Sequence, residues 1–305
     1  MNRDELCSLT VDAALDGQMV RDVLRHHLQM SRKLIRKLVE GEGVLVNGKH
    51  TWLSWRLQEG DTLRLLLPTE ESEDILSEPI PFATVYEDED VLVVNKRAGL
   101  IVHPTHGHWT GTLANGVVHA WKERGVTARF RPVHRIDQHT SGLLVIAKNH
   151  YALKLLAGQL MERTLERSYT AIVHGRVEWD EGRIEGPIDR SDEDRRIRVV
   201  RPDGQEARTD YRVVERFGMI GTLVSLKLHT GRTHQIRVHM QYIGHPLFGD
   251  AMYGTGDDAA WIERQALHAQ VLGFVHPRTG ETLRFEAPLP EDMAQLLDAL
   301  RSTIG

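Results

Sequence analysis

One nine-residue stretch groups the types that do proton and carbon chemistry: His134-Arg135-Ile136-Asp137-Gln138-His139-Thr140-Ser141-Gly142. A carboxylate follows a His-Arg pair, then come two hydroxyls and a glycine, then an apolar run. An aspartate where a loop enters a strand, beside a fixed cation, stays ionised and aimed. Thr140 and Ser141 can hydrogen-bond the loop backbone, and Gly142 permits close approach of another backbone or a ligand. The same pattern also suits a structural Asp–Arg pair that caps a strand, and spacing alone leaves both readings open. Two further stretches carry clustered polar groups. They are Arg167-Ser168-Tyr169-Thr170-Ala171-Ile172-Val173 and Thr230-Gly231-Arg232-Thr233-His234-Gln235-Ile236-Arg237-Val238-His239-Met240. His103, His106 and His108, like His234 and His239, lack the four-residue spacing of a helical zinc pair. The single cysteine, Cys7, cannot build a thiolate cluster or an internal disulfide. No metal is expected.

These residues need a scaffold. Val91–Val94, Leu143–Ala147, Tyr169–Val173 and Leu223–Leu228 read as strands. Leu113–Glu123, His150–Arg163, Thr233–Ile243 and Glu291–Ser302 read as helices. The two kinds interleave without the rhythm of a doubly wound parallel sheet. The expected fold class is therefore α+β: a mixed, largely antiparallel sheet with flanking helices over residues 81–305. A smaller α/β unit is expected over residues 9–67. Its helices are Gly17–Leu28 and Arg32–Glu40, the second capped by Ser31. Strands follow at Val44–Val46 and Thr62–Leu67, with a tight turn at Asn47-Gly48. Residues 68–80 read as a solvated acidic linker, since Pro68 to Glu78 holds five acids and no base.

The three polar stretches, in this order and followed by Gly244-His245-Pro246 and Gly249-Asp250, resemble the motifs of the Rlu-type pseudouridine synthases. That family acts on large-subunit ribosomal RNA and some transfer RNAs. The similarity spans roughly Phe82 to Pro288. It implies that Asp137 is the catalytic carboxylate, that Tyr169 stacks on the target base and that Arg237 pairs with Asp137. Arg135 would help displace the target nucleotide from its stack. Ile136 stands where Leu is commoner, and Arg167 where Lys is common. The implied reaction breaks the bond from uracil N1 to the sugar, turns the base and joins C5 instead. It involves no redox change and no added group, so no cofactor is expected. The first unit resembles the small S-four-like RNA-binding domain in its helix pair, in Gly43-Val44-Leu45-Val46-Asn47-Gly48 and in Gly60-Asp61. Arg32, Lys33, Arg36 and Lys37 would then meet phosphates.

Charge fits such a partner locally rather than in total. The net charge is −5, yet Asp16–Leu67 holds nine Lys and Arg against six Asp and Glu. No apolar run is long enough for a membrane span, and no signal peptide is apparent. A cytoplasmic monomer acting on structured RNA, foremost large-subunit ribosomal RNA, is expected. Transfer RNA is the alternative substrate. A non-catalytic RNA-binding or ribosome-assembly factor is the alternative class, and it would have no need of the Asp137–Tyr169–Arg237 trio. A nucleoside hydrolase would have no need of the basic helix.

Overall fold

The computed structural model describes residues 3–68, 70–105, 107–254 and 258–303. The chain divides into two compact units, Met1–Glu71 and Ser72–Gly305.

In the first unit, β1 (Arg3–Thr10), β4 (Thr62–Pro68), β2 (Val44–Val46) and β3 (Lys49–His50) form an antiparallel sheet in that order. The opening strand β1 was not expected. It carries a bulge between Glu5 and Cys7, which breaks the two-residue alternation that would announce it. Nor is Gly17–Leu28 one helix. Only α1 (Val20–Asp22) is α-helical, and Val23–His27 widens into a π-turn. There the Leu28 amide donates to Val23 O at 2.9 Å. Val20, Val23 and Leu24 are all buried, so helical spacing was satisfied while the winding changed. The second helix, α2 (Arg32–Glu40), starts as expected, with Ser31 Oγ accepting from the Leu34 amide at 3.2 Å. Asn47 and Gly48 both take positive φ, as a tight hairpin turn between β2 and β3 requires.

The second unit opens differently from the solvated linker that its acids suggest. Ser72 and Ile75 are buried. Ser72 Oγ accepts from the Phe130 amide at 2.7 Å, and Ile75 joins a core cluster with Leu113 and Val117. The strands then arrive as β5 (Ala83–Glu87), β6 (Val91–Lys96), β7 (Arg131–Pro132), β8 (Ser141–Ala147), β9 (Glu166–His174), β10 (Glu181–Glu185), β11 (Ile188–Arg190), β12 (Arg198–Val200), β13 (Arg208–Phe217), β14 (Gly221–Leu228), β15 (Leu267–Val275) and β16 (Thr282–Glu286). Ten of them make one sheet, ordered β10-β13-β14-β9-β15-β8-β6-β5, with β16 beside β15 and β7 beside β8. The pair β11 and β12 stands apart. The helices are α3 (Leu113–Glu123), α4 (His150–Met161), α5 (Gln235–Tyr242) and α6 (Glu291–Ser302).

Helices cover both faces, which is why the central strands are apolar almost throughout. Leu92, Val94, Leu144 and Ile146 face the cluster that holds α3 and α5. Val91, Val93, Leu143 and Val145 face the cluster that holds Ala152 and Leu156 of α4. α6 closes a third cluster over Ile172 and Leu223. The observed class is α+β, a mixed sheet in which β8 and β15 alone pair in parallel among the described ladders. That parallel pairing lasts two residues, Ser141 with His268 and Gly142 with Ala269. Gly142 has φ +115°, and a Cβ there would lie 2.3 Å from Ala269 O. Only glycine lets the two backbones close at this point.

Candidate active site

The seam between β8 and β15 sets the loop before β8 over the middle of the sheet. Ala269 pairs with Gly142 on one side and with Tyr169 on the other. Asp137 therefore leaves its loop near the strand that carries Tyr169. A cavity of about 330 Å³ lies there. It is lined by Arg135, Asp137, Arg167, Tyr169, His234 and Arg237, among others. All three polar stretches of the sequence thus converge. Among the described residues, Asp137 is the one carboxylate in the lining, against four arginines. Such a chamber favours an anionic visitor.

Arg237, on the first turn of α5, is buried. Its Nε and Nη2 donate to Asp250 at 2.6 and 2.7 Å, and its Nη1 donates to Asp137 Oδ2 at 3.3 Å. The ring of Tyr253 lies 4.9 Å from the guanidinium carbon. Burial works against the Arg237 charge, but the hydrogen bonds and charges of Asp250 and Asp137 outweigh it, and the pKa is raised. Asp250, itself buried, accepts from the Met252 and Tyr253 amides. A carboxylate so held leaves the guanidinium little freedom.

His234 has a left-handed backbone, φ 58°, just before α5. Its Nδ1 lies 2.8 Å from the Tyr253 hydroxyl, which already accepts from the Arg198 amide. Where the hydroxyl donates its proton to Nδ1, the ring proton of the neutral imidazole sits on Nε2. That nitrogen faces Asp137 Oδ2 at 4.0 Å. Burial lowers the His234 pKa, which keeps the imidazole neutral near pH 7. Gln235 ties the loop ahead of α5 together: its amide oxygen accepts from Thr230 Oγ1 and the Arg232 amide, and its nitrogen donates to Arg208 O.

The Asp137 loop is fixed from outside itself. Lys96 Nζ, fully buried at the end of β6, donates to the carbonyls of Arg97, Leu100 and Gln138 at 3.0, 2.8 and 2.9 Å. Arg264 donates to His139 O at 3.2 Å, and Gln265 donates to Thr140 Oγ1 at 3.3 Å. Ser141 Oγ lies 2.9 Å from His268 Nδ1. Thr140 and Ser141 thus bind side chains from the approach to β15 and from β15 itself, rather than their own loop. Lys96, Tyr253 and Arg264 were not singled out from sequence, and Asp250 stood there only within the Gly249-Asp250 pair, without a role. Lys96 left a legible sign, a cation closing an apolar strand; the others become partners only through tertiary packing.

The remaining wall is aromatic and cationic. Tyr169 is 5% exposed and joins the core, and burial raises its pKa. Arg135 is exposed at the rim. His134 is buried, with both ring nitrogens unpartnered, and burial pulls its pKa down to about 3. The other sequence candidates fall elsewhere. Arg32, Lys33 and Arg36 are exposed on α2 of the first unit. Lys37 is half-buried there and paired with Glu70, so its charge is met within that unit. His103 stacks on Phe130, His239 bonds Thr209 and Gly186 O, and His106 lies outside the described residues. Among the described residues one group could approach a cation together, Asp88, Asp90 and His276. Its atoms are already met by Tyr86, Arg278, Asn149 and backbone amides. No helix among the described residues is long and apolar enough to cross a membrane.

Comparison with known proteins meets this geometry. The family described as RNA pseudouridylate synthase matches residues 90–242, and the RluD ribosomal pseudouridine synthase N-terminal domain matches residues 7–63. An RNA pseudouridine synthase of Bacillus subtilis is 50% identical over 89% of this chain and 90% of its own. The ribosomal large subunit pseudouridine synthase D of Neisseria meningitidis is 42% identical over 97% of this chain and 82% of its own. Among solved structures, human RNA pseudouridylate synthase domain containing 1 superposes with a TM-score of 0.57 at 27% identity, covering 74% of this chain and 97% of that one. With both family regions matched in order and the likeness running nearly end to end, the chain belongs to the RNA pseudouridine synthases, enzymes that isomerise uridine within RNA.

Proposed function

We propose that this enzyme converts specific uridines of large-subunit ribosomal RNA to pseudouridine with Asp137 as its essential carboxylate. The observation that carries the assignment is the position of Asp137. Among the described residues it is the sole carboxylate lining the cavity, it is 24% exposed, and Arg237 is the cation beside it. Arg237 sets a fixed positive charge against that carboxylate, and Asp250 keeps Arg237 aimed. Asp137 either attacks the anomeric carbon or assists removal of a proton from the neighbouring sugar carbon as the base departs. Tyr169 forms the wall against which the base rests while detached. Arg135, exposed at the rim, fills the gap left when the nucleotide leaves its stack, an exchange that costs a few kcal/mol. The exposed bases of α2 add phosphate contacts. Ribosomal RNA is favoured as substrate because the relatives with this N-terminal domain include ribosomal large subunit synthases.

Two measurements test this. Release of tritium from uracil C5 should vanish in Asp137→Asn while RNA binding persists; a near-wild-type rate would remove Asp137 from the mechanism. Pseudouridine mapping in cells lacking the protein should show a missing site in large-subunit RNA. Loss confined to transfer RNA would replace the proposed substrate.

A further inference from the structure

The cavity holds a cation whose donors are unused. Arg167 sits on β9 two residues before Tyr169, so both side chains leave the same face of the strand. Both line the cavity with Asp137. Arg167 is 7% exposed. Its guanidinium makes no hydrogen bond or ion pair among the described residues, and Nε is buried without a partner. A Cβ on Gly231 would come within 3.0 Å of Nη1, so the glycine keeps that edge of the guanidinium clear. The other cationic groups of the cavity are differently placed. Arg237 is met by two carboxylates, Arg232 donates to Glu206 O and to Gln205, and Arg135 is solvated at the rim. Nearby His134 is neutral and so does not oppose the Arg167 charge.

Burying a cation without its counter-charge is costly. The cost is recovered where negative charge arrives during turnover. The reaction generates such charge at the base. The N1–C1′ bond breaks with its electron pair passing to uracil, and the charge spreads onto the carbonyl oxygens. The base then turns, C5 bonds to C1′, the C5 proton leaves and N1 takes up a proton. Charge reaches the base by either route open to Asp137. Arg237 cannot balance it, because Asp250 and Asp137 already do so for Arg237.

We propose that Arg167 is the anion-stabilising group of this enzyme, donating its free N–H groups to a carbonyl oxygen of the target uracil as the glycosidic bond opens. The inference rests on the reading that Asp137 acts at the sugar and that the base lies against Tyr169. A backbone phosphate is the less favoured occupant, because it is strongly hydrated and belongs at the rim with Arg135, whereas the base must enter the buried end.

The test compares wild type, Arg167→Met and Arg167→Lys on a ribosomal RNA fragment carrying the mapped uridine, in single turnover and in equilibrium binding. Arg167→Met should lower the saturated rate about a hundredfold, with affinity changed by no more than about threefold. Arg167→Lys should recover about tenfold of that loss or more. With 5-fluorouridine at the target, fluorine draws charge from the departing base, so the defect of Arg167→Met in N1-bond cleavage should shrink. Weakened affinity with an intact saturated rate would overturn the proposal in favour of a phosphate grip. An unchanged rate, or the same defect with 5-fluorouridine, would reduce Arg167 to a structural residue. Met matches the length of the arginine stem and removes an unpaired charge, so thermal stability should hold. If it fails, Arg167→Gln carries the same comparison. An active Asp137→Asn would sink the carboxylate assignment by itself and leave the Arg167 readout standing.

Discussion

Arg237 gives both arms of its fork to Asp250, at 2.6 and 2.7 Å, and reaches Asp137 with one remaining nitrogen at 3.3 Å. The motif pairing of Arg237 with Asp137 is therefore the weaker of its two ion pairs. Asp250 sets the direction of the guanidinium, and Asp137 receives what is left. The division suits a carboxylate that has a cation beside it yet remains free to reach a substrate.

Asp250→Asn should release that anchor. The variant should lose about 3 kcal/mol of stability, since a buried charge loses its partner. The saturated rate should fall further than affinity, because Arg237 would turn towards Asp137 and tie it down. Urea unfolding and single-turnover kinetics read the two effects. A wild-type rate in a destabilised protein would confine Asp250 to folding.

Lys96→Met should act on the same carboxylate from the other side. It removes the donors to three carbonyls, the buried one of Leu100 and the part-buried ones of Arg97 and Gln138, the last beside Asp137. A loss of roughly 2 to 4 kcal/mol is expected, together with a slower saturated rate. If the rate held while stability dropped, the loop would not need Lys96 for its active shape.

Acid should destabilise the enzyme partly through His134. Burial holds its folded pKa at about 3, while an unfolded histidine titrates near 6.5. Between these values the unfolded chain binds a proton that the folded chain does not. The stabilising term is complete above about pH 6.5 and is lost as pH falls towards 3, at roughly 1.4 kcal/mol per pH unit at most. His134→Leu should flatten the stability curve in that window. Equal slopes for wild type and variant, measured by denaturant midpoints, would show that His134 is not the group responsible.

Arg32→Glu with Arg36→Glu should weaken RNA binding. The plot of log affinity against log salt should become shallower by about one unit for each phosphate that no longer meets a cation. The rate at saturating RNA should change little. Lys37 is left out because Glu70 already meets it. Unchanged affinity and slope would mean that α2 merely faces water.

Legibility in the sequence followed the range of the forces involved. α3 and α6 were read to the residue because apolar spacing along a helix is local. β1 was missed because its bulge scrambles alternation, and the π-turn because Val20, Val23 and Leu24 are buried under either winding. The acidic run after Pro68 looked solvated, yet Ile75 is held by a core formed some forty residues later. In the site, Asp137, Tyr169 and Arg237 were found by motif. Asp250 stood in the quoted Gly249-Asp250 pair without a role, because nothing local says which arginine a carboxylate will meet. The isolation of Arg167 is a property of its surroundings and left no local trace.

The two-residue parallel seam has a consequence for how the protein is made. It joins Ser141 and Gly142 to His268 and Ala269, so the Asp137 loop cannot settle until a strand some 127 positions downstream has been synthesised. Closing so long a segment is entropically slow and comes late in folding. A nascent chain still short of β15 has Lys96 and the pairing of β6 with β8 to lean on, but lacks the loop's partners Arg264, Gln265 and His268. The final setting of the carboxylate therefore waits on one of the last strands to be made.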